Sequence, residues 1–199
     1  MIRTPEALIP YILAVAAVLG GTAWHLGDRT GGLGRTVVIG EARIGGPFAL
    51  TDQDGKVYTD KNLRGHWTLL YFGYTHCPDV CPLTLQLMGD VMDRLGAKAA
   101  RVTPLFITVD PARDTPGVMK QYVAVFGKQF VGLTGSEAQI APVLKEFRVY
   151  AKKRPVAGGE YAMDHSGSIY LLDPTGKFAG TYEEVDGPEK IAADLKDRL

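Results

Sequence analysis

Hydrophobic and polar positions change their period several times along this chain. From Ala7 to Trp24 no charge interrupts an apolar run. Spanning a bilayer core takes roughly 17–25 such residues, so residues 1–27 read as an N-terminal transmembrane helix. A cleaved signal peptide is the alternative, although no crisp Ala-x-Ala site follows the run and it holds no cysteine for lipid attachment. Residues 28–43 contain Gly31-Gly32-Leu33-Gly34 and read as a flexible tether. From residue 44 to residue 199 the pattern is that of one folded domain.

Within that domain, two short apolar stretches flank Asp54-Gly55 and predict a hairpin over 48–58. Trp67 to Tyr74, with its apolar run Trp67 to Phe72, reads as a buried strand. Leu83, Leu87, Val91 and Leu95 form a helical stripe over 83–95. Further strands are predicted over 102–109, 130–133, 168–172 and 178–182, the last two joined by the turn Asp173-Pro174-Thr175-Gly176. Helices are predicted over 117–126, 138–147 and 187–199. Ser136 is the expected N-cap of the second, and Pro188 stands at the first position of the third. Strands alternating with helices, closed by a hairpin and a helix, predict an α/β three-layer sandwich.

Charge excludes one class of partner. The 22 basic and 22 acidic residues balance without a clustered basic excess, so no nucleic-acid surface is expected. Only Arg3 and the amino terminus precede the apolar run, whereas Arg29 and Arg35 follow it, so the Lys/Arg count does not favour an inside N-terminus. A short tail before a whole domain nonetheless reads as a signal-anchor, and long domains translocate largely regardless of charge. The domain is therefore expected outside the cytoplasm.

The chain's two cysteines stand together in Cys77-Pro78-Asp79-Val80-Cys81, between the first long strand and its helix. Thioredoxin-like folds keep a cysteine pair at that junction, where a helix N-terminus favours thiolates. The pair can exchange electrons as dithiol and disulfide, or bind a soft metal ion. A purely structural disulfide would close too short a loop to stabilise much. Pro82 is expected to start the helix, which leaves Cys81 outside it and the 77–81 segment as a wide turn. Imidazole joins thiolate readily on copper. Of the four histidines, His25 lies at the membrane edge and His66 in a surface turn. His76 adjoins Cys77, and His165 precedes the 168–172 strand as either a ligand or an ordinary loop histidine.

Three segments carry a family resemblance: Tyr71-Phe72-Gly73-Tyr74-Thr75-His76-Cys77-Pro78-Asp79-Val80-Cys81-Pro82, the 108–116 segment Thr-Val-Asp-Pro-Ala-Arg-Asp-Thr-Pro, and Met163-Asp164-His165-Ser166. They resemble the SCO/SenC family of membrane-anchored, thioredoxin-like copper proteins that help to assemble cytochrome c oxidase. Residues 45–55 are similar to the family's opening, and no motif position departs from the pattern. The resemblance implies that Cys77, Cys81 and His165 bind copper, as Cu(I) or Cu(II), with the Asp164-His165 loop facing the cysteines. It places Asp110 near the site, either turning the chain before Pro111 or acting electrostatically, and Asp164 and His76 beside the ligands.

The resulting expectation is a single-pass protein of the inner membrane with its domain on the periplasmic side. It would act as a metallochaperone receiving copper from a donor protein and delivering it to the copper-bearing subunit of the oxidase. The alternative is a thiol-disulfide oxidoreductase that keeps the oxidase copper-site cysteines reduced, with Cys77 and Cys81 as its redox pair. A peroxiredoxin is disfavoured, because Tyr74 stands where that family keeps a threonine.

Overall fold

A computed structural model describes residues 44–199. The expected anchor and tether lie outside the described residues. Among the described residues, no helix is long and apolar enough to cross a membrane.

The chain runs β1 (Ala49–Asp52), β2 (Val57–Thr59), β3 (Trp67–Gly73), α1 (Val80–Leu95), β4 (Val102–Thr108), α2 (Pro116–Ala124) and β5 (Val131–Thr134), then α3 (Glu137–Glu146), β6 (Ala151–Pro155), β7 (Tyr161–His165), β8 (Ile169–Leu172), β9 (Phe178–Tyr182) and α4 (Gly187–Arg198). Seven strands form one sheet in the order β2-β1-β5-β4-β3-β8-β9. β3 pairs with β4 in parallel and with β8 in antiparallel fashion. Its continuous apolar sequence follows from that central place, since both faces are covered.

Tyr71 and Phe106 stand opposite one another in the β3–β4 register and face α1 and α2. There the Tyr71 hydroxyl approaches Cys81 of α1, and the Phe106 ring lies 5.6 Å from that of Tyr122 of α2. Phe72 and Tyr170 point to the other face, where Phe147, just after α3, meets their rings at 5.4 and 6.0 Å. Helices thus cover both faces, and α4 packs beside α1. The described domain is the expected three-layer α/β sandwich.

Local signals hold where they were specific. Gly55 closes the first hairpin with a φ of 80°, while the Asp52 carboxylate accepts the amides of Asp54 and Lys56. Ser136 caps α3 by accepting the Gln139 amide, and the Gln139 side chain returns the bond.

Three expectations change. Helix α1 starts at Val80, so Cys81 is helical and Pro82 is the third helical residue. The first amides of a helix have no intrahelical partner, so a proline there costs no hydrogen bond. Of the expected stripe on α1, Leu87, Val91 and Leu95 are buried and only the first residue departs. Leu83 is 51% exposed, and the core takes the series Cys81, Leu85, Met88, Met92 and Leu95, with Leu87 and Val91. Finally, 151–165 is a two-stranded hairpin apart from the main sheet, which places His165 at the end of a strand rather than in a loop. Lys152-Lys153-Arg154 lacks the alternation by which a half-buried strand is recognised. Gly158-Gly159, both at positive φ in the connecting turn, was the signal available.

Candidate metal centre

Strand β3 ends at Gly73, and the chain then turns towards α1. A Cβ on Gly73 would stand 2.9 Å from both the Cys81 sulfur and the Phe106 ring, so only glycine lets the sulfur close against the strand. Thr75 donates its amide and its hydroxyl to the buried Asp114 carboxyl, at 3.1 and 2.6 Å. The Cys77 amide bonds back to the Tyr74 carbonyl. The Cys81 amide, one of the unpaired donors of the helix's first turn, points to the Cys77 sulfur at 3.4 Å. Cys77 is half-buried, Cys81 is fully buried, and both are free thiols.

His165 reaches the same place from the second sheet. Its Nε2 lies 3.3 Å from the Cys81 sulfur, and its Nδ1 lies 2.9 Å from the Ser166 carbonyl. A carbonyl only accepts, so Nδ1 carries the proton and Nε2 keeps its lone pair towards the thiols. Tyr71 and Tyr74 pack edge-on against the imidazole at 6.1 and 5.8 Å. One donor atom from each of Cys77, Cys81 and His165 lies within 4.8 Å of the others.

Burial sets the protonation states. Desolvation lowers the His165 pKa below the usual histidine value, against opposing pulls from the Ser166 carbonyl and the Asp164 charge. The imidazole is therefore neutral, its ligating form. Desolvation pushes the Cys81 thiol up to about 12, with the Cys77 sulfur adding to the rise. The thiolate expected from the helix N-terminus is thus not the resting state of Cys81, because withdrawal from water outweighs a half-charge at the helix end.

The other expected residues surround this group without joining it. The His76 imidazole is 53% exposed, turns to the Thr75 hydroxyl at 3.1 Å, and is 3.9 Å from Asp114. Asp164 pairs with Arg154 on the neighbouring strand at 2.9 Å. Asp110 is buried, bonded to Arg113 and to the Tyr161 hydroxyl, which lies at 2.9 Å. Three residues went unremarked in the sequence: Asp114, Arg113 and Tyr161. The first two sit inside the 108–116 motif, but the partners that link them to the cysteine segment and the hairpin lie 39 and 48 residues away.

Two sulfurs and a neutral imidazole suit a soft or borderline ion. Bonds of about 2.3 Å allow two donors on one ion to stand up to about 4.6 Å apart, so the observed spacing needs only small closure.

Comparison with known proteins agrees. Residues 37–199 match the SCO1/SenC family. The mitochondrial SCO2 protein of Saccharomyces cerevisiae is 42% identical over 164 residues, covering 79% of this chain and 54% of its own length. The mitochondrial SCO2 homolog of Bos taurus is 43% identical over 166 residues, covering 81% and 62%. The chain therefore spans little more than half the length of these mitochondrial relatives. ScoI of Bradyrhizobium japonicum, solved with copper bound, superposes with a TM-score of 0.75 at 51% identity, over 78% of this chain and 99% of that one. BsSco, described as having a disulfide switch and as a member of the Sco family of cytochrome c oxidase assembly proteins, superposes at 0.60 with 31% identity, over 76% and 91%. With the motifs, the fold and the three-donor group in agreement, this chain belongs to the SCO1/SenC family.

Proposed function

We propose that this protein is a copper metallochaperone, in which Cys77, Cys81 and His165 carry the ion and residues 1–27 anchor the domain on the periplasmic side of the inner membrane. It receives copper from a donor protein and passes it to the copper-bearing subunit of cytochrome c oxidase. The observation that carries this reading is the convergence of two sulfurs and a neutral imidazole within 4.8 Å. Cu(I) favours the thiolates, and the nitrogen makes Cu(II) acceptable as well. Loading displaces the thiol protons, as metal binding to cysteine requires. Cys77 is the more exposed of the two thiols and offers the side from which a partner's ligands can enter.

A second reading, a thiol-disulfide reductase for the oxidase copper-site cysteines, is favoured by the same asymmetry. An accessible Cys77 can attack a partner disulfide, and a buried Cys81 can resolve the mixed disulfide. His165 separates the two. Thiol exchange needs only the sulfurs, whereas a carrier needs the imidazole. His165→Ala is expected to weaken copper binding at least about a hundredfold, about 2.7 kcal/mol, and to leave the Cys77–Cys81 reduction potential within about 15 mV of the parent. Chelator competition and a redox titration on one sample measure both. Unchanged copper affinity with a shifted potential would favour the reductase.

A further inference from the structure

The three donors reach the site on two separate parts of the fold, and one short loop grips both. That loop, residues 110–114, joins β4 to α2. It is closed on itself, since the amides of Arg113 and Asp114 both bond to the Asp110 carbonyl. It is tied to the main sheet as well: the Thr134 hydroxyl of β5 donates to the Asp114 carbonyl at 2.6 Å, and the Asp110 amide bonds to the Thr108 hydroxyl of β4 at 2.9 Å.

From one end of this loop, Asp114 holds the cysteine segment. Its carboxyl is fully buried and accepts the Thr75 amide, the Thr75 hydroxyl and the Thr108 hydroxyl. Thr75 stands two residues before Cys77. A carboxyl withdrawn from water is costly unless hydrogen-bonded, and its donors here are all on the two strands' ends that frame the thiols.

From the other end, Asp110 and Arg113 hold the hairpin that bears His165. Asp110 accepts the Tyr161 hydroxyl. Arg113, paired with Asp110, donates through one Nη to the Tyr161 carbonyl at 3.0 Å and lies over the Tyr161 ring, 3.8 Å from its centre. Tyr161 opens β7, and His165 closes it. The hairpin shares no strand pairing with the main sheet, so these contacts, together with Met163 in the core and Tyr71 and Tyr74 against the ring, set where the imidazole arrives.

We propose that residues 110–114 form a two-ended bracket that sets the imidazole against the thiols before copper arrives, with Asp114, Arg113 and Tyr161 as positioning residues. The proposal rests on the reading that Cys77, Cys81 and His165 bind copper. It makes the two ends separable at their hydrogen bonds, because those of Asp114 reach the cysteine segment and those of Asp110 and Arg113 reach the hairpin, while Arg113 also lies over the Tyr74 ring, 5.6 Å from its centre.

The test uses Tyr161→Phe and Arg113→Gln at the hairpin end, and Asp114→Asn and Thr75→Val at the cysteine end. Each purified protein is checked for folding by circular dichroism, then measured for copper affinity, for the Cu(II) thiolate absorption band and for the Cys77–Cys81 reduction potential. The hairpin-end variants should lose about 10–100-fold in copper affinity, as removal of groups that orient metal ligands does. Their Cu(II) band should shift and their dithiol equilibrium constant should stay within about twofold of the parent, or about 9 mV. The cysteine-end variants should lose affinity and also move the dithiol equilibrium by at least about tenfold, or about 30 mV. Thr75→Val removes a single hydroxyl and keeps the cysteine end testable if Asp114→Asn does not fold. Hairpin-end variants that bind copper as the parent does, or that move the potential as much as the cysteine-end variants do, would overturn the bracket. A parent protein that binds no copper would overturn the copper reading instead, and the division of the potentials between the two ends would still decide the bracket.

Discussion

Strand β3 and the β6–β7 hairpin deliver donors to the same point by opposite means. β3 is flanked by β4 and β8, six of its seven residues are buried, and its sequence is apolar but for Thr68. The hairpin is a separate two-stranded sheet, and four of the five residues of β6 are exposed. The thiols stand at the end of a core strand, whereas the imidazole, though packed on Tyr71 and Tyr74, arrives on a hairpin tied to the domain by Met163 and by polar contacts at its rim. A pair of strands on its own is marginal in water, so the hairpin draws its order from what it touches. In a carrier this division would keep the two sulfurs on the main fold and bring the third donor in on a separate hairpin.

Hydrogen exchange tests the comparison most directly, and the largest effect is expected there. Cross-strand amides of β6 and β7 should exchange at least about a hundredfold faster than those of β3 and β4, because local opening spans the range from near zero to the global stability. Equal protection would make the hairpin part of the core and end the contrast.

Glycines sharpen it next. Gly73→Ala drives a Cβ into the Cys81 sulfur and the Phe106 ring. Overpacking of this kind costs about 1–3 kcal/mol, so the melting temperature should fall by about 3–10 °C and copper affinity should fall with it. Gly159→Ala in the hairpin turn meets no neighbouring atom and carries only the strain of its φ of 83°. Its cost should stay near 1 kcal/mol, with copper affinity unchanged.

A third effect is confined to the cysteine side. In the metal-free fold the Cys81 thiol is held up near 12, above its ordinary 9.0. The unfolded chain therefore loses that proton first as pH rises, and the native state loses stability between about pH 9 and 12. Denaturant unfolding of the parent and of Cys81→Ala at pH 8 and pH 10 should show the parent losing about 1 kcal/mol more over that interval. Parallel pH curves would mean that Cys81 is not shielded from water.

The smallest effect belongs to Pro82. As the third helical residue it withholds an amide that has no intrahelical partner. Pro82→Ala should change stability by less than about 1 kcal/mol and leave the Cu(II) spectrum as it is. A changed spectrum would show that the ring, rather than Gly73 and Asp114, shapes the cysteine turn.

The amino-acid sequence by itself determined whatever depends on neighbours along the chain. The apolar run of β3, the Asp54-Gly55 turn, the Ser136 cap and the place of the cysteine pair between a strand and a helix are set by local backbone preference and by periodicity, so they were legible. The motifs also marked Cys77, Cys81 and His165 as a set. Tertiary structure decided the rest, because the deciding contacts join distant residues: Thr75 with Asp114 across 39 positions, Tyr161 with Asp110 across 51, and Cys81 with His165 across 84. The β6–β7 hairpin owes its existence to pairing rather than to alternation, so its polar strand carried no period to read. The phase of α1, which buries Cys81 and exposes Leu83, follows from how the helix meets the sheet. The raised Cys81 pKa is a consequence of that burial, and withdrawal from water is a property that only the assembled fold possesses.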